Sequence, residues 1–385
     1  MSKELTMMER KYIVFGAEHY NPLGIVRSLG ESGLEVDAVI LKNIRLVTSK
    51  SKYITRLKIV NSIEEGYQYI LKNYGKRQGI KDIIYTSDDQ ITNFLDMRYE
   101  DLKERFFFFN AGENGRISRF QNKDAINKLA LKYGLNVLDS WVVNKGDVPS
   151  DISYPVITKA LTSTIDNWKD EVYVCVNEEE LIKAYAHIRS ERILVQKYIK
   201  KKNELCLDGY SVAKGNDVVF NIASNYNYIL PDTYSPYMTI FNFNNKKVSD
   251  SLKGMFSEIG FEGIFSVEFL VGERDELYFL EINFRNSTWS YASTRAGMPL
   301  PVLWAEGMIS GHATRKVKKI PTGFTAMVEF DDYRNRVKCG KISLIKWLND
   351  LRNARCRFCL GKKDPLPFLI IIFSKIKRKI RSGKE

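Results

Sequence analysis

The sequence predicts a doubly wound α/β unit, then an α+β unit, then a basic amphipathic tail. Three observations carry that expectation. Apolar strand-length and amphipathic helix-length segments alternate through the first 115 or so residues, the mark of βαβ units and a parallel sheet. Strands then dominate to about residue 312. From Arg334 to the end, 16 Lys and Arg face three Asp and Glu, a surplus equal to the net charge of +13 for the whole 385-residue chain. Residues 1–333 are therefore neutral, which argues against a catalytic body built to bind nucleic acid, and no nucleic-acid partner is expected.

The elements follow in order. Lys11-Tyr-Ile-Val-Phe-Gly16 reads as a buried strand, and Asn21-Pro-Leu-Gly24 opens a helix with a capping residue and Pro in its first turn. Leu34 to Leu41 reads as a strand, Ile63 to Tyr74 as a helix and Ile80 to Thr86 as a strand. Ser87-Asp-Asp-Gln90 heads another helix, and Phe106 to Asn110 is a short strand. The turn Gly16-Ala-Glu-His-Tyr-Asn21 lacks the spaced glycines of a dinucleotide fingerprint. Asn122 to Ala130 is an amphipathic helix. Strands are expected at Trp141–Val143, Pro155–Lys159, Arg192–Ile199, Glu204–Val212 and Val218–Ala223, with helices over 178–190 and 249–260.

Two carboxylates in the next segment carry the chemistry. Glu268 lies in Phe265-Ser-Val-Glu-Phe-Leu270 and Glu281 in Phe279-Leu-Glu-Ile-Asn-Phe-Arg285, with the polar turn Gly272–Glu276 between them. A carboxylate flanked by core residues is costly unless its charge is compensated. A hard divalent cation compensates two at once, and the Asn283 amide oxygen can complete the protein's share of the shell. Magnesium held this way usually carries nucleotide phosphates. Lys159 ends the strand Tyr154-Pro-Val-Ile-Thr-Lys159, and Lys123 begins a helix, both positions from which an ammonium can meet phosphates. Leu194-Val-Gln-Lys-Tyr-Ile199, followed by Glu204, is an apolar strand running into a connector, as an adenine ring requires.

In this order, Asn122-Lys123, Pro155–Lys159, Val195–Ile199, Glu204, Val267–Leu270 and Leu280–Arg285 resemble the ATP-grasp superfamily from about Gly16 to Gly311. The resemblance implies a Rossmann-like pre-ATP-grasp domain over 1–115 and an ATP-grasp domain over 116–312. Within the latter, 118–190 would form a small lid and 191–312 the large subdomain, leaving 313–385 as the C-terminal extension. It implies that Lys123 and Lys159 contact ATP phosphates, that Gln196, Lys197, Tyr198 and Ile199 line the adenine hinge, and that Glu204 meets the ribose. Glu268, Glu281 and Asn283 would hold two Mg²⁺ ions, replaceable by Mn²⁺, and Arg285 would face the transferred phosphoryl group. Two features depart from the family pattern. The loop after Lys159, residues 160–171, has no glycine, with Thr162, Ser163, Thr164 and Trp168 in it, and Gln196 stands where many members carry Glu.

Such enzymes activate a carboxylate as an acyl phosphate that an amine then attacks, releasing ADP and phosphate. Arg295, in the segment after Arg285, is the expected clamp for a substrate carboxylate, and Tyr226–Tyr228 and Tyr234–Tyr237 offer aromatic faces for an acceptor. The pattern is similar, less closely, to D-aspartate ligase-like proteins of cell-envelope or surface-polysaccharide pathways. A non-catalytic nucleotide-binding module and carboxyphosphate chemistry are the alternatives.

The tail carries an amphipathic helix at Ile342–Leu351, then apolar Phe368–Phe373, then Ser374-Lys-Ile-Lys-Arg-Lys-Ile-Arg381. Six apolar residues cannot span a bilayer, and an apolar patch beside a polybasic run can lie on an anionic membrane. Met1–Arg10 has no apolar signal core, and five scattered cysteines suit a reducing compartment. A cytoplasmic protein is expected, its tail either docked on the core with a solvated basic end or peripheral on the inner face of the plasma membrane. Cys356-Arg-Phe-Cys359 has metal spacing but no second Cys pair and no nearby His.

Overall fold

The computed structural model describes residues 7–44, 46–161, 171–230, 234–314 and 316–382. Tyr12–Ala17 (β1), Val36–Leu41 (β2), Ile54–Val60 (β3), Asp82–Thr86 (β4) and Phe106–Phe107 (β5) form a parallel sheet in the order β3-β2-β1-β4-β5. Tyr12, Ile13, Val14 and Phe15 are all buried because helices cover both faces of this sheet. The order reverses between β1 and β4, so the loops after these strands border a crevice, the usual ligand position in such sheets. There Asn21 Nδ2 donates to the carbonyls of Ser87 and Asn286, at 3.3 and 3.0 Å.

The edge strand β3 escapes a reading by apolar pattern. Its Thr55, Arg56 and Leu57 face solvent, so it shows no apolar alternation. The last strand stops at Phe107, short of the expected Asn110, because Asn110 instead bridges to Glu262 in the next unit.

Ser140–Asn144 (β6), Val156–Ala160 (β7), Val174–Cys175 (β8) and Arg192–Lys197 (β9) make an antiparallel sheet ordered β6-β9-β7-β8, with its own small core around Val156, Leu181, Ile193 and Val195. Asn203–Val212 (β10), Asp217–Tyr226 (β11), Tyr237–Phe241 (β12), Gly263–Val271 (β13), Leu277–Asn283 (β14), Phe324–Met327 (β15) and Cys356–Arg357 (β16) form a third sheet, ordered β14-β13-β10-β11-β12-β15-β16. Two strands from the region after residue 312 thus complete it. Its core continues into the first unit, where Trp304 meets Tyr85 and Phe109 edge-on at 5.4 and 4.9 Å.

The C-terminal helix Leu366–Ser382 lies against the protein, with Phe368 stacked on Phe330 at 5.1 Å. Leu366, Leu369 and Phe373 on it remain exposed. No helix among the described residues is long and apolar enough to cross a membrane.

Candidate functional site

β13 and β14 form the anticipated hairpin, and their register puts Glu268 directly across from Glu281. In the same register Ser266 faces Asn283, and a bulge after Glu268 shifts the pairing so that Phe269 meets Phe279. Glu281 and Asn283 alternate with buried Phe279 and Ile282, so both point to the half-open face. Asn283 Nδ2 donates to Glu268 Oε1 at 2.9 Å, and its Oδ1 accepts from Arg285 Nη2 at 3.0 Å. Burial pushes the Glu268 carboxyl up to about 8, and Glu281 and Glu204 add to the rise against the opposing pull of Arg285.

These donors fit magnesium. Among the described residues no three His, Cys, Asp or Glu side chains group as a metal cage, which leaves two carboxylates and an amide oxygen. Magnesium keeps several waters and takes one or two protein carboxylates together with phosphate oxygens, so such a partial set suits it. Cys356 and Cys359 are both buried free thiols, raised by desolvation.

Cations approach the pair from other elements. Lys159 lies on β7 and donates from Nζ to Gln196 Oε1 at 2.8 Å. Burial and then Lys123 pull its ammonium down to about 8, while Glu281 and Glu204 hold it up. Lys123 sits behind its Asn122 cap, and its backbone N–H donates to the Leu161 carbonyl at 3.0 Å, tying this helix to the end of β7. Arg285 Nε pairs with Asp89 Oδ1 at 2.8 Å, each side chain one-fifth exposed. Lys123, Glu281, Asn283, Asp89 and Gln121 line one cleft.

The hinge residues divide. Gln196 is buried and accepts from Lys159, and Lys197 Nζ donates to Ser153 and Tyr154, so both side chains are engaged within this antiparallel unit. Tyr198 is exposed and its N–H donates to the Pro155 carbonyl, with Ile199 following half-buried. Glu204 reaches Lys201 at 2.6 Å. Thr162, Ser163, Thr164 and Trp168 lie outside the described residues.

The Arg295 guanidinium lies 3.4 Å from Glu31 and lines a cavity that shares no lining residue with the cleft at Glu281 and Asn283. Two of the aromatic residues expected near an acceptor are anchors. Tyr228 donates to Asp332 at 2.9 Å, and Tyr237 sits under the Arg336 guanidinium at 4.5 Å.

Other residues emerge only in three dimensions. Asp89 is the partner of Arg285, released for that role because Asp88 caps the helix. Asp208 is buried one strand from Ser266, accepts from Ser290 Oγ at 2.8 Å, and is pushed up to about 6 by burial. His19 is held down to about 4, by burial first and then by Arg285. A local signal existed for Asp89, in the doubled Asp at a helix start; none existed for His19 or Asp208.

No family model matches this sequence, and no curated protein matches it. Solved structures do match its fold. An N5-carboxyaminoimidazole synthetase from Staphylococcus aureus aligns with a TM-score of 0.63 at 15% identity, over 85% of this chain and 86% of that one. An L-amino acid ligase from Bacillus licheniformis aligns at 0.59 and 14%, over 78% and 74%. A biotin carboxylase from Campylobacter jejuni aligns at 0.63 and 17%, over 80% and 73%. With the carboxylate hairpin, the four-stranded sheet that carries Lys159 and the preceding parallel sheet in place, the chain has the ATP-grasp fold.

Proposed function

We propose that this chain is an ATP-dependent, ADP-forming ligase that joins a carboxylate to an amine through an acyl phosphate. One observation carries the reading: Glu268 and Glu281 face each other across a hairpin, linked through Asn283 to Arg285, in the field of Lys159. Glu268, Glu281 and Asn283 are the magnesium ligands, and bound Mg²⁺ would supply charge neutralisation for the nucleotide phosphates. Lys123 and Lys159 contact those phosphates, Tyr198 and Ile199 border the adenine, and Glu204 meets the ribose. Gln196 orients Lys159, and Lys197 braces the hinge from the lid side. Arg285 faces the migrating phosphoryl group, its guanidinium aimed by Asp89. The chemistry needs positioning and electrostatics from the protein, with no nucleophile.

For the finer reading we take the acceptor to be a cell-envelope or surface-polysaccharide precursor met at the inner face of the plasma membrane. The support is the C-terminal helix, which leaves Leu366, Leu369 and Phe373 exposed ahead of a basic segment. Carboxyphosphate chemistry is the second reading, favoured by likeness to a carboxylase structure solved with MgADP and bicarbonate, at a TM-score of 0.60 and 16% identity.

The test is ADP release from Mg²⁺-ATP against D- and L-amino acids, envelope precursors and bicarbonate. Acceptor-dependent release is expected, and Glu281→Gln should lower it by at least about a hundredfold. Full activity in that variant would remove the metal assignment. ATP binding without turnover on any acceptor would instead favour a non-catalytic nucleotide-binding module, and bicarbonate-dependent release the second reading.

A further inference from the structure

A cavity of about 320 Å³ opens between the end of the helix Tyr20–Gly30, the helix Ser290–Arg295 and the segment 355–363. Its wall carries Arg295, Arg355, Arg357, Lys362 and Lys363, against a single carboxylate, Glu31. Glu31 is already engaged. Its Oε1 accepts from the Tyr291 hydroxyl at 2.8 Å, and its Oε2 lies 3.4 Å from Arg295. Among the described residues, Arg355, Arg357, Lys362 and Lys363 make no ion pair; Arg355 lies over the Phe324 ring at 4.8 Å. Cations gathered on one concave wall repel each other unless an anion joins them.

The wall is braced from behind. Arg27, fully buried, pairs with Asp364 at 2.9 Å and donates to the carbonyls of Phe358, Cys359 and Asp364. Asp364 also accepts from Ser51 Oγ at 2.8 Å and from the Lys52 N–H at 2.9 Å. Buried Glu329 accepts from the N–H groups of Cys359 and Leu360. At Gly361 a Cβ would lie 2.9 Å from Arg27 Nη2, so the chain passes there only without a side chain. A solvated basic loop needs no such framework of buried charge, whereas a preorganised binding wall does.

The cavity is distinct from the nucleotide site. His19, which feels the charge of Arg285, caps the start of the helix Tyr20–Gly30, and Glu31 follows its end, twelve residues or about 18 Å further on.

We propose that this cavity binds a phosphate- or diphosphate-bearing ligand. Planar guanidinium forks match phosphate oxygens, and Lys362 and Lys363 add point charges. Four cations without ion pairs exceed what a single carboxylate neutralises, and the volume suits a small phosphorylated molecule or a lipid headgroup. The inference does not rest on the ligase reading, and its test involves no turnover.

The full chain is titrated calorimetrically with inorganic pyrophosphate in metal-free buffer. Saturable binding is expected. It should weaken at least about tenfold in Arg357→Ala/Lys362→Ala and survive in Lys123→Ala/Lys159→Ala. Arg355→Ala/Lys363→Ala, on exposed side chains, should weaken it likewise and serves if the first pair fails to fold. No saturable binding, or loss confined to the Lys123/Lys159 variant, would overturn the proposal. Co-sedimentation with phosphatidic acid or phosphatidylcholine vesicles identifies the source of the phosphate. Capture on phosphatidic acid that pyrophosphate displaces assigns a lipid headgroup. Pyrophosphate binding without displaceable capture assigns a soluble phosphate compound.

Discussion

At the scale of single residues, Glu268 makes a proton-linked prediction. Its ordinary value is 4.5, and burial beside Glu281 raises it to about 8. Between those values the folded, metal-free protein keeps a proton that the unfolded chain has lost. That contribution to stability is full below about pH 4.5 and disappears as pH rises through about 8. A cation at the pair requires the ionised carboxylate, so magnesium binding at pH 7 should release close to one proton and tighten as pH rises to 8. Calorimetry in two buffers of different ionisation enthalpy measures this, and equal apparent enthalpies would take Glu268 out of the metal set. Glu268, Glu281, Asn283 and Arg285 were legible because they interrupt or end apolar strands, a local anomaly. Asp89 shows only the doubled Asp at a helix start and His19 shows nothing, because each gains its role from Arg285, roughly 200 or more residues away in sequence.

At the scale of elements, β13 and β14 can be read from alternation and a polar turn, whereas no such signal marks β12. Its Tyr237 and Met238 pair with Met327 and Ala326 on β15, some 90 residues later. Strand status there comes from a distant partner that no local window contains. The same holds for the segment 358–364, which is irregular backbone pinned by one buried ion pair. Arg27→Met would leave Asp364 buried without its cation, and breaking such a pair costs about 3–5 kcal/mol. Chemical denaturation should show that loss, and a change under about 1 kcal/mol would mean that Ser51 and Lys52 alone hold Asp364.

At the scale of the whole molecule, the tail divides its faces. Phe368 stacks on Phe330 and Lys375 lies 4.0 Å over the same ring, while Leu366, Leu369 and Phe373, spaced three and four apart, form an exposed apolar stripe. Leu369→Ser/Phe373→Ser should reduce capture on anionic vesicles by at least about tenfold, since each buried apolar side chain contributes about 1.5–3 kcal/mol. Unchanged capture would end the membrane reading. This variant is a cleaner probe than truncation after Gly361, which would also remove Asp364 from Arg27. By itself the sequence determined the alternation of the first unit, the carboxylate hairpin, the two lysines and their order along the chain, because periodicity and charge inside apolar runs are local properties. Only the tertiary structure decided that Arg295 belongs to a second, basic cavity and that Gln196 holds Lys159. It also decided that β15 and β16 close the large sheet. Those outcomes depend on which surfaces meet across long separations, and apolar burial drives that meeting without marking the partners in either segment.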